Sequence, residues 1–416
     1  MIRLVDFLFG VRKQEVALAA VLFSGYGLIL LTYFFLKPAR DSLFLSGPGP
    51  HNLPLVFVLI ALVALPVTLI YGRLARVLDL NRMIMGTSAV LIGCLLLLRW
   101  LLALEISWIY YAFYIWVDIY GILTTSQFWL FANSVLESAQ AKRIFAVVNL
   151  GGILGAIIGG ETAGFLVGVV EISTRDLLLF CAGFLALSTG LLNRVGRLAR
   201  PPGQTPAAVA PYQQPVRNSL REVRSMLRDH RHLAGIGGLL CLSMLVATLV
   251  QFQFKTVAFQ AYPDQQALAA FLGKFYGRLN LVSLLLQTFL TYRLIRFWGV
   301  SGAILLLPLG LLLTSVGMLA VPTLWGAILL RGIDGSLRPS VDKTGRELLF
   351  LPVPLEVKKR AKVFIDLFVD RWSRGLAGGL LLVLTSFLHF PVNWISMVVI
   401  VLAGLWVVLA LAVRRG

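Results

Sequence analysis

The chain has 416 residues, 58% of them hydrophobic and 13% charged, with a mean hydropathy of +0.86. Soluble domains carry about twice that charge, so the composition excludes a soluble enzyme or a disordered chain and implies repeated membrane crossings. The 37 Lys and Arg against 19 Asp and Glu leave a net +18, which in a membrane protein marks loops beside an anionic inner leaflet rather than a nucleic-acid partner.

A short basic start with Arg3, Arg12 and Lys13 precedes an apolar run from Val16 to beyond Leu36. That run is too long for a cleaved signal and has no small-residue cleavage site, so it is expected to be the first span. Tyr26, Tyr33, Lys37 and Arg40 share one face of it before Pro38 and GPGPHNLP turn the chain. Further spans are predicted near residues 53–72, 83–104, 107–131, 145–170 and 175–193, then 233–260, 271–294, 300–320, 322–345, 363–386 and 391–413. Each approaches the roughly 20 residues that cross a hydrocarbon core. The sequence thus predicts an all-α membrane protein of about twelve helices.

Alternate loops carry Arg73, Arg76 and Arg82; Lys142 and Arg143; the central linker; Arg293 and Arg296; and Lys358, Lys359, Arg360 and Lys362. The opposite loops are poor in Lys and Arg. The positive-inside rule therefore predicts that both termini are cytoplasmic. Residues 195–232 divide the chain into six-helix halves, 1–194 and 233–416. Within this linker five prolines precede Ser219 and Glu222, a capping box opening an amphipathic helix suited to the inner membrane surface. LESAQAKRIFAVVNLGGILGAIIGG at 136–160 aligns without gaps on LEVKKRAKVFIDLFVDRWSRGLAGG at 355–379. That weak repeat suggests two parallel halves, the major facilitator architecture. Val147, Gly151 and Gly155 allow close helix packing in the first copy, where the second has Asp366, Asp370 and Arg374.

Charge inside the later spans is the strongest functional signal. Arg331, Asp334, Arg338, Asp342 and Arg346 follow one another at three- and four-residue steps, one stripe of a helix with alternating sign. Pro339 within it predicts a kink or break. Asp366, Asp370 and Arg374 form a second stripe, with Arg371 beside them. An ionised group at the membrane centre costs roughly 3 kcal/mol, so the stripes are expected to face protein or a water-filled path. They read either as a transport gate or as a structural lock between helices.

In the fourth span Tyr111, Tyr114, Asp118, Thr125 and Trp129 share a face, so Asp118 is a candidate site residue among aromatics that could stack on a planar ligand. Lys37, Arg40, Lys255, Lys274 and Arg278 supply cations suited to phosphate or carboxylate. Uncompensated, such a cluster would repel itself, so a bound anion is expected to relieve it. Glu161 is a lone acid deep in the fifth span. Cys94, Cys181 and Cys241 make no disulfide framework, and neither they nor the four histidines have metal-ligand spacing. DKTG at 342–345 looks like an ATPase aspartyl-phosphate loop, but the chain has no room for that enzyme's domains and Arg346 stands where the motif needs Thr. No Walker A precedes Lys343. No enzymatic constellation and no cofactor is expected.

RELLFLPVPLEVKKRAKVFIDLFVDRWSRG at 346–375, with LKPARDSLFL, FYIWVDIYGILTTSQFWLFAN and AKRIF, resembles the ATP/ADP translocase family of bacteria and plastids. The family order Arg-Pro-x-Lys-Asp appears here as Lys37-Pro38-Ala39-Arg40-Asp41, with the cations exchanged. The resemblance implies a major-facilitator-like carrier in a bacterial inner membrane. It carries over Lys37, Arg40, Asp41 and Asp118, and Arg346, Glu347, Lys362, Asp366, Asp370 and Arg371. The reading it supports is a monomeric carrier of a small organic anion, a nucleotide or other phosphorylated metabolite. Lys37, Arg40, Lys255 and Arg278 hold the anionic group, Tyr114 and Asp118 contact the remainder, and the stripes form the gate. A proton-coupled exporter with Asp118, Glu161 or Asp366 titrating is the alternative, and a non-transporting or lipid-handling scaffold is a third.

Overall fold

The computed structural model describes residues 12–77, 79–198, 231–350 and 369–415. The linker helix expected at Ser219, and Lys362 and Asp366, lie outside the described residues. The described residues form helices joined by short turns. In hydrocarbon a backbone N–H or C=O has no water partner, so a helix that bonds every group internally is the economical way across. The first six are α1 (Val16–Ser46), α2 (Leu53–Val77), α3 (Leu80–Leu101), α4 (Ser107–Val135), α5 (Ser138–Gly168) and α6 (Leu177–Leu198). There follow α7 (Arg231–Ala261), α8 (Gln265–Leu285), α9 (Thr291–Ala320), α10 (Leu324–Leu337), α11 (Lys343–Leu349), α12 (Asp370–Leu382) and α13 (Ile395–Arg415).

Two irregularities set where the later spans divide. Gly299, at φ 69°, interrupts α9 in the left-handed region that glycine tolerates, and so separates the eighth span from the ninth. Between α10 and α11 the residues Arg338–Asp342 form a π-helical turn. The kink or break expected at Pro339 is therefore resolved differently. Proline has no N–H to donate, and the helix widens by one residue, with the Lys343 N–H reaching the Arg338 carbonyl.

Among the described residues, eight helices are long and apolar enough to cross a membrane. Outside those eight lie α4, α8, α10 with α11, and α12, which carry Asp118, Lys274 and Arg278, and the two charged stripes. Part of the candidate site thus lies on segments less apolar than the eight, while Lys37, Arg40 and Asp41 lie on α1, which is one of them.

Contacts divide the molecule into two compact units. The first comprises the described parts of Met1–Gly47, Pro66–Gln213 and Asp264–Arg278. Its core gathers Leu22, Tyr26 and Ile29 of α1, Phe128 and Phe131 of α4, Ile144 and Val148 of α5 and Leu192 of α6. α1 and α5 touch backbone to backbone. A Cβ added at Gly155 would stand 2.0 Å from the Gly27 carbonyl oxygen, and one at Gly151 2.5 Å from that of Phe23. The small residues of the first repeat copy therefore do permit the close packing expected of them. Gln127 of α4 donates to Thr87 of α3 at 2.6 Å, and Ser188 of α6 to the Gly25 carbonyl at 3.0 Å.

The second unit comprises the described parts of Pro48–Leu65, Gln214–Pro263 and Leu279–Gly416. Leu233, Ile236, Leu240 and Met244 of α7 pack with Phe350 at the end of α11. Gln253 of α7 donates to Ser396 at 2.7 Å and to the Val392 carbonyl at 2.9 Å, tying α7 to the start of α13. α2 and α8 each contribute residues to both units.

Candidate functional site

In the first unit the C-terminal third of α1 brings Arg40 and Asp41 against α4 and α8. Arg40 is 2% exposed and Asp41 0%, in a segment otherwise apolar. A buried guanidinium is tolerable only when paired and hydrogen-bonded, and both conditions are met. Arg40 Nε donates to Asp41 Oδ1 at 3.0 Å, with Nη2 2.9 Å from the same oxygen. Its Nη1 donates to Asp118 Oδ2 of α4 at 2.8 Å. Tyr276 of α8 completes Asp41 by donating its hydroxyl to Oδ2 at 2.9 Å.

The face of the guanidinium lies on Tyr114, 4.1 Å from the ring centroid. Tyr114 is itself held edge-on by Phe44, with centroids 5.1 Å apart. One turn earlier Lys37 sets its ammonium 3.9 Å from the Tyr276 ring centre and 5.2 Å from that of Phe34. Both cations of α1 therefore sit on aromatic faces, where desolvation strengthens the attraction. Asp118 differs from its neighbours in being 26% exposed.

The cations expected to converge do not all do so. Lys37 and Arg40 share the cluster. Arg278 is 72% exposed and lies 3.6 Å from Glu161 of α5, so that acid, alone in its span, faces an arginine. Lys255 belongs to the second unit, fully buried, with its ammonium 5.9 Å from the Phe57 ring centre. The expected uncompensated cluster is also corrected, because Arg40 already has two carboxylates. Asp41, carried over by the resemblance with no stated role, is the innermost partner of Arg40. Tyr276 was missed altogether. It lies two residues from both Lys274 and Arg278, on the other side of α8 from the face those cations share, and that side meets α1.

In the second unit the predicted stripe closes on itself. Asp334, wholly buried, is shared by Arg331 and Arg338. Arg338 donates to it through Nε at 3.0 Å and reaches Ser243 of α7 through Nη1. Asp342 pairs with Arg346 at 3.0 Å, four residues on. Asp342 is 0% exposed, and among the described residues neither of its carboxylate oxygens accepts a hydrogen bond beyond this ion pair. In α12, Asp370 pairs with Arg374 at 3.2 Å, and Arg374 also reaches the Met244 sulfur at 3.4 Å. A cavity of about 290 Å³ opens beside them, lined by Lys343, Arg346, Glu347 and Asp370 and by the apolar Ile236, Leu240, Met244 and Phe350. Arg371 is half-buried nearby in sequence.

Outside the spans, Glu15 accepts from Arg143 of α5 at 2.5 Å, and this hydrogen bond holds its carboxyl below its ordinary value. Arg143, read from sequence as a topogenic charge, thus also anchors the start of α1. Near the other end of the spans, Arg99 in the last turn of α3 pairs with Asp176 at 2.6 Å and Arg175 with Glu105 at 2.7 Å.

Comparison with known proteins now bears on this arrangement. The chain is similar to solved transporters over nearly its whole length. One is a bacterial homologue of the iron transporter ferroportin in its inward-facing state, at TM-score 0.67 and 12% identity, covering 97% of this chain and 99% of that one. Another is the nucleoside transporter NupG, at TM-score 0.62 and 15% identity, covering 94% and 98%. These likenesses show the fold, a major-facilitator-like bundle. In sequence, ADP,ATP carrier protein 1 of Chlamydia pneumoniae is 22% identical, covering 99% of this chain and 94% of its own. ADP,ATP carrier protein 1 of Rickettsia conorii is 21% identical, covering 70% and 64%. Residues 95–331, more than half of the chain and the stretch holding Asp118 and Tyr276, match the TLC ATP/ADP transporter family. The chain belongs to that family and is a multi-pass membrane transporter.

Proposed function

We propose that the protein exchanges nucleotides of the ATP/ADP type across a bacterial inner membrane by alternating access, with both termini cytoplasmic. The observation that carries this reading is the Arg40 site. A planar guanidinium lies on an aromatic ring, backed by a second cation at Lys37, in a helix otherwise built for hydrocarbon. Arginine offers a fork of donors that matches phosphate oxygens, and aromatic walls suit a base. The relatives named ADP,ATP carriers supply the substrate class. Lys37, Arg40, Tyr114 and Asp118 are the binding residues in this reading, with Lys255 and Arg278 as further contacts of the anionic group. The stripes of α10–α11 and α12 serve as the inner gate, and the two six-helix halves are the moving parts.

A thermal-shift screen of the purified protein tests the substrate class. ATP and ADP should stabilise it, their nucleosides should not, and added salt should weaken the shift. Arg40→Gln should abolish the ATP shift and Arg40→Lys restore only part, because a point charge does not reproduce the fork. Stabilisation by a neutral or cationic compound, unchanged in Arg40→Gln, would favour the proton-coupled exporter. That second reading draws on Asp118, whose carboxylate is the accessible one of the pair.

A further inference from the structure

The Arg40 site has a property that the nucleotide reading alone does not explain: its cation is already taken. The guanidinium spends Nε and Nη2 on Asp41 and Nη1 on Asp118. The two carboxylates are not equivalent. Asp41 is wholly buried and is held from the other side by the Tyr276 hydroxyl. Asp118 is 26% exposed and, among the described residues, bonds only to Arg40 Nη1. An anion reaching Arg40 from the open side arrives where Asp118 now stands. Two anions cannot share one nitrogen in low dielectric without strong repulsion.

We propose that Asp118 is a tethered stand-in for substrate phosphate, displaced from Arg40 as the nucleotide binds and neutralised by one proton from solution. This rests on the nucleotide reading, changes the part of Asp118 in it from a contact of the substrate to the group the substrate displaces, and adds that anion and proton bind together. Only the proton changes hands: it adds to the freed Asp118 carboxyl, and the phosphate takes over the Nη1 donor. Asp41 stays in place throughout and keeps the guanidinium aimed. The groups around the pair fit that sequence. From α1 they are Arg40, Asp41, Lys37 and Tyr33; from its own helix, Tyr114; from α8, Tyr276. α3, also packed on α4, sets its Arg99 on Asp176 instead and leaves Arg82 exposed. Arg40 is thus the cation that Asp118 is seen to touch. Neutralising Asp118 removes one charge from a cluster that gains the phosphate's, so the local balance is nearly kept.

The test is ATP affinity of the purified full chain at pH 6, 7 and 8, in wild type and Asp118→Asn. Titration of the terminal phosphate of ATP is common to both proteins, so the difference between them is read. Linked uptake of one proton weakens wild-type binding by up to about tenfold per pH unit relative to the variant. Asp118→Asn should bind ATP more tightly at pH 8 and lose that slope. A role for Asp118 confined to structure predicts weaker binding, not tighter. Should the variant fail to fold, ATP added to wild type in weakly buffered medium should still draw protons from solution beyond a protein-free blank. If wild type shows no extra slope and takes up no proton, the stand-in proposal falls while nucleotide binding stands. If folded wild type binds no ATP at any of these pH values, the nucleotide reading falls and this one with it.

Discussion

The two units solve the same problem, charge inside a membrane helix, in opposite ways. In the second unit the charges are paid off locally: Arg331, Asp334 and Arg338, then Asp342 and Arg346, pair along one helix at three- and four-residue steps. In the first unit Arg40 reaches from α1 to α4 across 78 positions of sequence, and Asp41 to α8 across 235. A pair within one helix persists however its neighbours move. A pair between helices holds only while those helices stay together, so it can report on, or respond to, a ligand. The contrast fits the proposed division, in which the Arg40 cluster binds substrate and the stripe's internal pairs order the helix that forms the gate.

The largest expected effect is therefore in the first unit. Arg40→Gln strands Asp41, wholly buried, and loosens Asp118; removing one member of a buried pair costs about 3–5 kcal/mol. Thermal unfolding in detergent should show a lower midpoint, and Arg40→Lys should recover part of the loss. Gly155→Val breaks the same unit by packing instead. With a Cβ only 2.0 Å from a backbone oxygen, α1 and α5 must separate, so the variant should lose about 1–3 kcal/mol or more and expose the Arg40 site. Normal stability and normal ATP affinity in Gly155→Val would contradict the α1–α5 contact.

Next comes a comparison inside the stripe. Asp334→Asn removes the shared partner of two arginines, whereas Asp342→Asn removes a buried carboxylate that, among the described residues, has only the Arg346 ion pair. Asp334→Asn should cost about 3 kcal/mol and Asp342→Asn about 1 kcal/mol or less, since a neutral amide is cheaper to bury. Equal losses would mean that the Asp342–Arg346 ion pair matters more than its geometry indicates. Smallest is the loop pair. The Glu15 carboxyl is lowered by Arg143, so its contribution is complete above the unfolded value and is lost as pH falls through the folded one. Glu15→Gln should flatten that acid limb of the stability profile and leave neutral pH nearly unchanged.

What the sequence revealed follows the same division. The stripe was legible because its partners lie at helical steps, so spacing alone placed Asp334 between Arg331 and Arg338. The helices were legible because long apolar runs leave little choice in hydrocarbon. Arg40 and Asp118 were each visible as charges in apolar segments, but their bond was not, because nothing local encodes which way α1 and α4 are rotated. The same missing rotation hid the pairing of Arg278 with Glu161 and the role of Tyr276. Pro339 predicts a kink or break because proline's missing N–H is a local fact, whereas the π-helical turn that accommodates it depends on the whole α10–α11 segment.

Counter-exchange tests the account's central claim most directly. Proteoliposomes holding the purified protein and loaded with ADP should take up labelled ATP, and empty vesicles should take up far less. Arg40→Gln should abolish the difference. Uptake that ignores internal nucleotide and follows only an imposed pH gradient, or no uptake by folded protein at all, would contradict nucleotide exchange at the Arg40 site.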